Sequence, residues 1–391
     1  MDSFSNYYDL LSHAFNGDNS TARLQAFVNT LFANKYNVLN IDGFKFAQDM
    51  QLDFTYEQLQ KEIGITAMAN YYDVDSPAVP RGAEGISLLT GKIPRMKDVI
   101  YFDEDKVRKQ LIIERMYGSN SDKATNSALR KLFGTMDDLV AGHTNSLTYQ
   151  RHQMVSNKKL TLTDSNNPKG LVGVTFSAGV PNANGDSLSG NARFWTDKGT
   201  YATEGSSSDP IKSIADWLDP ILDKAVPGHL EINSSYLRRI LRHSKVLSTI
   251  GLSLFPALET SVSSQSVAVM SEDTRRSALE NILGIMIKPI DSKCAVEKYD
   301  KPTKSLIKTN VNAFESDVIV FVPDGTIGEF LTAMPIKFQS ANATTAEFYG
   351  GRLLVTVEAD AVKKCQGFYS EMTTLAVPEV PQYLHYLYPN N

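Results

Sequence analysis

The sequence has little cysteine and little excess charge, and each shortage excludes a class of protein. Its two cysteines, Cys294 and Cys365 in 391 residues, are too few for a disulfide framework or a cysteine-only zinc site. The 39 basic and 44 acidic residues leave a formal net charge of −5, which gives no general attraction to phosphate backbones. Sequence-wide nucleic-acid binding is therefore disfavoured, although a local basic patch stays possible.

Long apolar runs are also missing. No stretch approaches the roughly 18 consecutive apolar residues that a membrane-spanning helix requires. The first residues, Met1–Tyr8, have neither the basic start nor the apolar core of a signal peptide. We therefore expect no membrane association, and a cytosolic protein whose two cysteines are buried and reduced.

The motifs of common catalytic sites are absent as well. The sequence has no phosphate-binding glycine loop, no dinucleotide fingerprint, no nucleophile elbow and no zinc-protease helix motif. The closest histidines, His143 and His152, are nine residues apart and fall on opposite faces of a helix, so they cannot share a metal. Ser156–Lys159 and Ser305–Lys308 have serine–lysine spacing without the partner motifs of a serine enzyme. We predict no catalytic residues, no cofactor and no metal.

The strongest positive signal is a helix over about 121–156. Candidate N-cap residues lie at 119–122, and apolar residues follow at three- and four-residue steps. At 1.5 Å per residue such a helix is roughly 50 Å long. Gly134 and Gly142 each cost it up to about 1 kcal/mol relative to alanine. A short strand, Leu160–Thr163, is expected directly after it.

Before this helix, the pattern indicates elements that need a surface to lie on. Ser20–Phe32 has one apolar face at helical spacing, and a short amphipathic helix must dock on its own body or on a neighbour. Ile65–Tyr72 and Pro94–Phe102 are typical of strands, with prolines and glycines between them. The interpretation is a long two-stranded arm, which is marginally stable alone.

After the long helix, strands and helices alternate irregularly, which predicts an α+β protein. The Gly/Asn/Ser-rich stretch 178–208 is expected to be loop, and Pro210 to open a helix capped by the residue before it. Further helices are predicted from Ser234 and over 272–283. The remaining predicted strands are Leu230–Ile232, Met286–Ile290, Val318–Val322 and Arg352–Glu358.

A basic cluster is predicted on the helix that begins at Ser234. It allows two interpretations: a solvated face or subunit ion pairs, or a nucleic-acid patch. No aromatic residue interleaves with it as a stacking platform would require. Its members are Arg238, Arg239, Arg242, His243 and Lys245.

The order of these elements, more than any single motif, resembles the major capsid proteins of tailed bacteriophages, in particular the lambda-like branch with the Hong Kong 97 capsid fold. The resemblance covers about 65–391, whereas residues 1–60 match no pattern of the family. The stretches that carry it are Lys92–Phe102 as second strand of the extended loop, Tyr149–Leu162 as spine helix running into a strand, Phe194–Thr196 with Asp209–Ile211, Val320–Gly328, and the ending Leu375–Pro381.

The resemblance implies an α+β fold of the Hong Kong 97 type, with an N-terminal arm, an extended two-stranded loop, a spine helix, and peripheral and axial domains. The implied bounds are 1–62 for the arm, 63–105 for the extended loop, 106–228 for the peripheral domain with the spine helix, 229–345 for the axial domain, and 346–391 for the return to the peripheral domain.

It also implies a structural protein that self-assembles through hexamers and pentamers into an icosahedral shell around double-stranded phage DNA, in the cytoplasm of a bacterial host. Implied partners are a scaffold, a portal and decoration proteins. An encapsulin-like compartment shell and an unrecognised enzyme remain as alternatives. The candidate subunit contacts, on the extended loop, are Tyr71, Tyr72, Arg81, Lys92, Arg95 and Lys97.

Overall fold

The chain divides into two compact units in a computed structural model. Unit 1 comprises Met1–Tyr56, Thr90–Thr148 and Glu329–Ala376, and unit 2 comprises Glu57–Leu89, Tyr149–Gly328 and Val377–Asn391. The residues that the structure describes are 40–60, 87–102, 121–168, 170–197, 200–224, 226–254, 267–291, 293–300, 305–336, 343–360 and 365–390.

Helices and strands are mixed along the chain, as an α+β protein requires. The helices are α1 (Ser121–Ser156), α2 (Pro210–Leu222), α3 (Ser234–Ile240), α4 (Ser244–Leu254) and α5 (Glu272–Leu283). The strands are β1 (Asn40–Ile41), β2 (Phe44–Phe46), β3 (Thr55–Gln60), β4 (Ser87–Lys92), β5 (Arg95–Phe102), β6 (Lys159–Thr161), β7 (Thr175–Ser177), β8 (Gly185–Ser187), β9 (Gly228–Asn233), β10 (Ile287–Ile290), β11 (Lys293–Asp300), β12 (Ser305–Asn312), β13 (Ile319–Pro323), β14 (Gly328–Thr332), β15 (Ala343–Phe348), β16 (Leu353–Asp360), β17 (Cys365–Pro378) and β18 (His385–Tyr388).

Unit 1 is built on a seven-stranded sheet. Its strands follow the order β1-β2-β14-β17-β16-β15, and β5 pairs with β17 as well. Aromatic side chains fill its core, and Phe330 lies 5.7 Å from Phe44 and 5.6 Å from Phe46 between ring centroids. Arg352 lies over the Phe46 ring and donates to the Ala47 carbonyl at 2.6 Å. The arginine therefore ties the β2 segment to this core.

Among its described residues, unit 2 combines a five-stranded sheet with α2, α3, α4, α5 and the end of α1. The strand order is β10-β9-β13-β18-β8, in which β10–β9 and β18–β8 are parallel pairs. The apolar stripe of α2 enters a core that also holds Trp195, Tyr236, Ile232 and Phe321. The aromatic C-terminal segment forms β18, and Tyr386 and Leu387 are buried in the unit.

The predicted helices are confirmed where local signals are strong. The long helix runs from Ser121 to Ser156. Asp209 accepts a hydrogen bond from the Lys212 amide at 3.2 Å, and Pro210 occupies the first helical position. Ser271 caps α5, which ends before Gly284 at φ 66°, a left-handed value that favours glycine.

The strand predicted over 94–102 is confirmed as β5, Arg95–Phe102. It pairs antiparallel with β17, from Arg95 opposite Thr373 to Phe102 opposite Gln366. This stretch therefore belongs to the seven-stranded sheet of unit 1, while β3 and β4 form a separate two-stranded ladder. Residues 1–39 and 61–86, with the predicted helix at 20–32 and strand at 65–72, lie outside the described residues.

Two smaller predictions also need correction. The basic cluster does not lie on one helix, because the chain turns after Ile240 and a second helix begins at Ser244. The stretch 178–208 is not all loop, since Gly185–Ser187 joins the edge of the unit 2 sheet beside β18. The second departure is set by a pairing distant in sequence, between β8 and β18.

Candidate assembly surface

The β3–β4 ladder is anchored at its base within unit 1. Tyr56 and Ile93 are buried, and the Ile93 amide donates to the Phe54 carbonyl at 2.7 Å. A Cβ atom on Gly91 would lie 2.7 Å from the Tyr56 ring, so the strands close around the tyrosine because position 91 has no side chain. Beside this anchor, Leu52 is 89% exposed and Phe54 48% exposed. The base is fixed, and the apolar surface next to it is open.

Lys92 ends β4 with its side chain in solvent. The pKa of Asp53 is lowered mainly by the hydrogen bond from the Thr55 hydroxyl and then by the one from the Phe54 amide. The positive charge of Lys92 lowers this pKa to a smaller degree. Lys92 has no close ion pair with another described residue. Its charge therefore remains available for contact with another molecule.

One face of the β5 and β17 pair is open to solvent. Successive odd-numbered residues of β5 share a face of a strand, and Arg95, Lys97, Val99 and Tyr101 are all exposed. Arg95 and Lys97 both pair with Glu371 of β17, the lysine at 3.8 Å. A face with two cations on one carboxylate keeps a net positive charge.

The opposite face of the same strands is covered by α1. His143 of α1 is 4% exposed, and its Nε2 lies 2.9 Å from the Ser370 hydroxyl, which donates to the Asp98 carbonyl at 3.3 Å. Burial lowers the pKa of His143 to about 4, so the imidazole is neutral at neutral pH. Leu139 and Val140 complete the contact surface of the helix. The sheet therefore has one packed face and one free face.

The structure brings together two of the six predicted contact residues. Arg95 and Lys97 meet at Glu371, whereas Lys92 lies earlier, on the ladder. Tyr71, Tyr72 and Arg81 lie outside the described residues. Sequence reasoning missed Glu371, because its pairing with β5 joins positions about 270 residues apart; the alternation along β5 was the one local signal of a shared face.

In unit 2, a buried ion pair joins the end of α1 to β9. Arg151 donates to both carboxylate oxygens of Glu231, at 2.6 and 2.5 Å, and both side chains are fully buried. Burial opposes ionisation of Glu231, but Arg151, His229 and Lys288 outweigh it and hold the pKa of this carboxyl well below its usual range. His229 Nε2 lies 3.5 Å from Glu231, and its Nδ1 lies 2.8 Å from Asp324. The network orients the helix end in its unit.

The arrangement nearest to a catalytic one is Ser208 with His243. The serine hydroxyl lies 3.0 Å from Nε2 of a buried histidine, and Glu204 lies 3.8 Å from the same nitrogen. Nδ1 of His243 accepts from the Lys245 amide at 3.3 Å, which assigns the proton to Nε2. Nε2 then donates and cannot take the serine proton, so the pair is structural.

Most of the basic cluster has partners within unit 2. Arg238 and Arg242 pair with Glu272 at 3.1 and 3.5 Å. Arg239 lies 4.2 Å from the centre of the Tyr201 ring. His243 is buried. This arrangement favours the ion-pair interpretation over a nucleic-acid patch.

Other chemistry is sparse in the part of the chain that is described. There, no group of three metal-ligating side chains occurs, and no helix is long and apolar enough to cross a membrane. Cys294 is a buried cysteine that forms no disulfide with another described residue, and burial raises the pKa of its thiol. The candidate functional features of the described residues are therefore their exposed charged and apolar faces.

Comparison with known proteins gives solved structures of low sequence identity and one family match. Similar solved structures include a putative capsid protein of a prophage of Escherichia coli CFT073 (13% identity, 98% of each chain, TM-score 0.45). A phage-related protein from Bordetella bronchiseptica RB50 (11%, 97% of this chain and 96% of that one, 0.43) and the capsid of cyanophage P-SCSP1u (8%, 90% and 88%, 0.44) are further examples. No curated protein matches the sequence. The profile of the family described as phage major capsid protein E matches residues 20–382, and the chain belongs to that family.

Proposed function

We propose that this capsid subunit assembles through hexamers and pentamers into a shell that encloses double-stranded phage DNA in the bacterial host. The observation that carries the proposal is the family match over 20–382. The exposed ladder and the exposed face of β5 and β17 also agree with an assembly role, since subunits of obligate assemblies bury large areas against each other. Scaffold, portal and decoration proteins are the proposed partners.

The proposed subunit contacts lie on the ladder and on the free face of the sheet. Lys92 is exposed and has no close ion pair with another described residue, and Arg95 and Lys97 leave a positive charge beside Glu371. We place a neighbouring subunit against this face, with Tyr71, Tyr72 and Arg81 as further contacts. The proposed divisions are 1–62 for the arm, 63–105 for the extended loop, 106–228 and 346–391 for the peripheral domain, and 229–345 for the axial domain.

Negative-stain micrographs and sedimentation velocity of the purified protein test the assembly itself. We expect rings and closed particles, with DNA inside particles taken from infected cells. A strictly monomeric protein at high concentration, even with its assembly partners present, contradicts the proposal. Particles that contain enzymes in place of DNA favour the encapsulin-like alternative.

A matched pair of variants tests the contact residues. In Arg95→Gln/Lys97→Gln the positive charge of the free face is lost, whereas Glu371→Gln breaks the same intrachain pairs and keeps it. Exposed pairs contribute about 0–1 kcal/mol, so both proteins should fold. We expect the double variant, and Lys92→Glu, to lower particle yield while Glu371→Gln keeps it. If all three variants gave the particle yield of the wild type, these residues would not be part of the subunit interface.

A further inference from the structure

Unit 2 carries a two-stranded hairpin that pairs with no other described strand. β11 and β12 are aligned over eight residue pairs, from Lys293 opposite Asn312 to Asp300 opposite Ser305. At about 3.4 Å per residue the ladder is roughly 27 Å long. A hairpin of two strands is marginally stable in water unless one face is covered. Here Cys294 is buried, whereas Ile307 on the other strand is 45% exposed.

The hairpin is basic. The described residues of β11 and β12 include three lysines, one glutamate and one aspartate, which gives 3 − 2 = +1 in a chain of net charge −5, and the sequence between the two strands, 301–304, contains two more lysines. Lys298 pairs with Asp164 at 2.7 Å and Lys308 with Glu297 at 3.5 Å, and both lysine side chains are more than half exposed. Lys293 is exposed and has no ion pair with another described residue. The paired strands β11 and β12 are called the basic hairpin below.

The same unit presents a surface of opposite charge on α2. Asp216, Asp219 and Asp223 are exposed and spaced by three and four residues, so they follow one another along one side of the helix. They form no ion pair with another described residue, and neither Lys212 nor Lys224 pairs with them. These three aspartates are called the acidic face.

The acidic face is unfavourable in an isolated subunit. Carboxylates three and four residues apart on a helix repel each other. They also lie in the last two turns of α2, where the helix dipole already favours cations. The opposite side of the helix is fixed by the burial of Ile214, Trp217 and Leu218, so the aspartates cannot rotate away. A cationic partner from outside the subunit relieves both penalties.

We infer that the basic hairpin of one subunit docks on the acidic face of α2 in a neighbouring copy of this chain. The inference rests on the proposed assembly and names one of its contacts. Because the two surfaces differ and belong to the same chain, the contact is head-to-tail, the type that closes into rings. The exposed Ile307 adds apolar area to it. The acidic face on the same chain selects a second copy as the occupant, whereas DNA would leave that face without a partner.

A charge-swap experiment on the full chain tests this contact. The hairpin variant is Lys293→Glu/Lys308→Glu, the helix variant is Asp216→Lys/Asp219→Lys, and the swap variant combines all four changes. Lys245→Glu and Asp138→Lys, both exposed and elsewhere, are matched controls. Self-association is measured by sedimentation velocity from low to high salt, particle yield by negative stain, and folding by circular dichroism.

We expect each one-sided variant to weaken association by at least about tenfold at low salt, since it places like charges opposite each other. The swap variant should recover at least half of that loss, and the wild-type association should weaken as salt screens the charges. The controls should match the wild type.

Three outcomes overturn the inference: one-sided variants that associate like the wild type, a swap variant no better than they are, or a hairpin variant that loses only DNA retention. A wild-type protein that never associates overturns the proposed assembly instead, so the two failures are distinguishable. A variant that does not fold is replaced by Lys293→Gln and Asp219→Asn, which remove the charges without reversing them and should each weaken association.

Discussion

Arg151 and Glu231 form a fully buried ion pair, and such a pair is costly to break from one side. We predict that Arg151→Met lowers the free energy of unfolding by about 3–5 kcal/mol, because it leaves the Glu231 carboxylate uncompensated. The double variant Arg151→Met/Glu231→Leu should recover most of this loss. Chemical denaturation of the free subunit measures both.

The exposed pair of Arg238 with Glu272 is the control for that prediction, since its side chains are 57% and 40% exposed. Arg238→Met should change the free energy of unfolding by less than about 1 kcal/mol. A double variant at 151 and 231 that is as unstable as the single one would show that the pair acts through its shape and not through its charge.

His143 makes the free subunit sensitive to acid. Its pKa is about 4 in the folded chain and 6.5 ordinarily, so the unfolded chain binds the proton first. The contribution of neutral His143 to the free energy of unfolding is therefore complete above pH 6.5. It is lost as the pH falls toward 4, by about 3 kcal/mol in total. In His143→Gln the unfolding free energy should fall less over this range.

His229 should behave in the opposite sense and serves as a comparison. Hydrogen bonding to Glu231, and then to Asp324, raises its pKa above 6.5. Its stabilisation is complete below pH 6.5 and is lost as the pH rises through the raised pKa. His229→Gln should therefore lower the free energy of unfolding more below pH 6.5 than above the raised pKa, whereas His143→Gln changes the pH dependence only below pH 6.5. Identical pH profiles of the two variants would contradict these signs.

At the scale of the element, two glycines have opposite effects on stability: one is required by close packing, and the other only lowers the helix propensity of its segment. Gly91 lies against the Tyr56 ring, whereas a Cβ on Gly142 of α1 would meet its nearest atom, Asp98 Oδ2, at 3.8 Å. We predict that Gly91→Ala destabilises the subunit, because the ring must move, and that Gly142→Ala stabilises it by up to about 1 kcal/mol. Thermal unfolding compares the two; destabilisation by Gly142→Ala would show hidden crowding around α1.

Elements with local signals were predictable, and pairings between distant segments were not. The apolar period and cap residues of α1, α2 and α5 lie within each segment, so the bounds of α1 and α5 and the start of α2 agree with prediction. The partner of β5 lies about 270 residues away on β17, and alternation within Arg95–Phe102 carries no information on which strand pairs with it. The same limit explains why Glu371 was missed.

At the scale of the whole molecule, the family match confirms the prediction of a major capsid protein. The chain is therefore a structural, non-enzymatic component of the virion capsid, and self-assembly is its activity. The mixed α+β order with a long helix running into a short strand is the one predicted for a Hong Kong 97-type subunit. The sequence could indicate the candidate subunit contacts only as exposed aromatic and cationic residues, because one chain does not show which residues of a neighbour lie opposite them.

The free subunit also exposes apolar side chains beside the ladder in unit 1. The Met334 amide donates to the Gln51 carbonyl at 2.7 Å, which places Met334 and Ile336 beside the segment of Leu52. Met334 is 47% exposed, Ile336 67% and Leu52 89%. Contiguous apolar area of this kind is typical of surfaces that become covered by a partner.

We predict that assembly covers this area, because burying apolar surface is the main favourable term in subunit association. Oxidation of Met334 by dilute peroxide, followed by mass spectrometry, should slow several-fold in particles relative to free subunits. Leu52→Ser/Ile336→Ser should lower particle yield while the unfolding free energy stays within about 0.5 kcal/mol of the wild type. Equal oxidation of Met334 in particles and free subunits would place this area on an open surface of the shell.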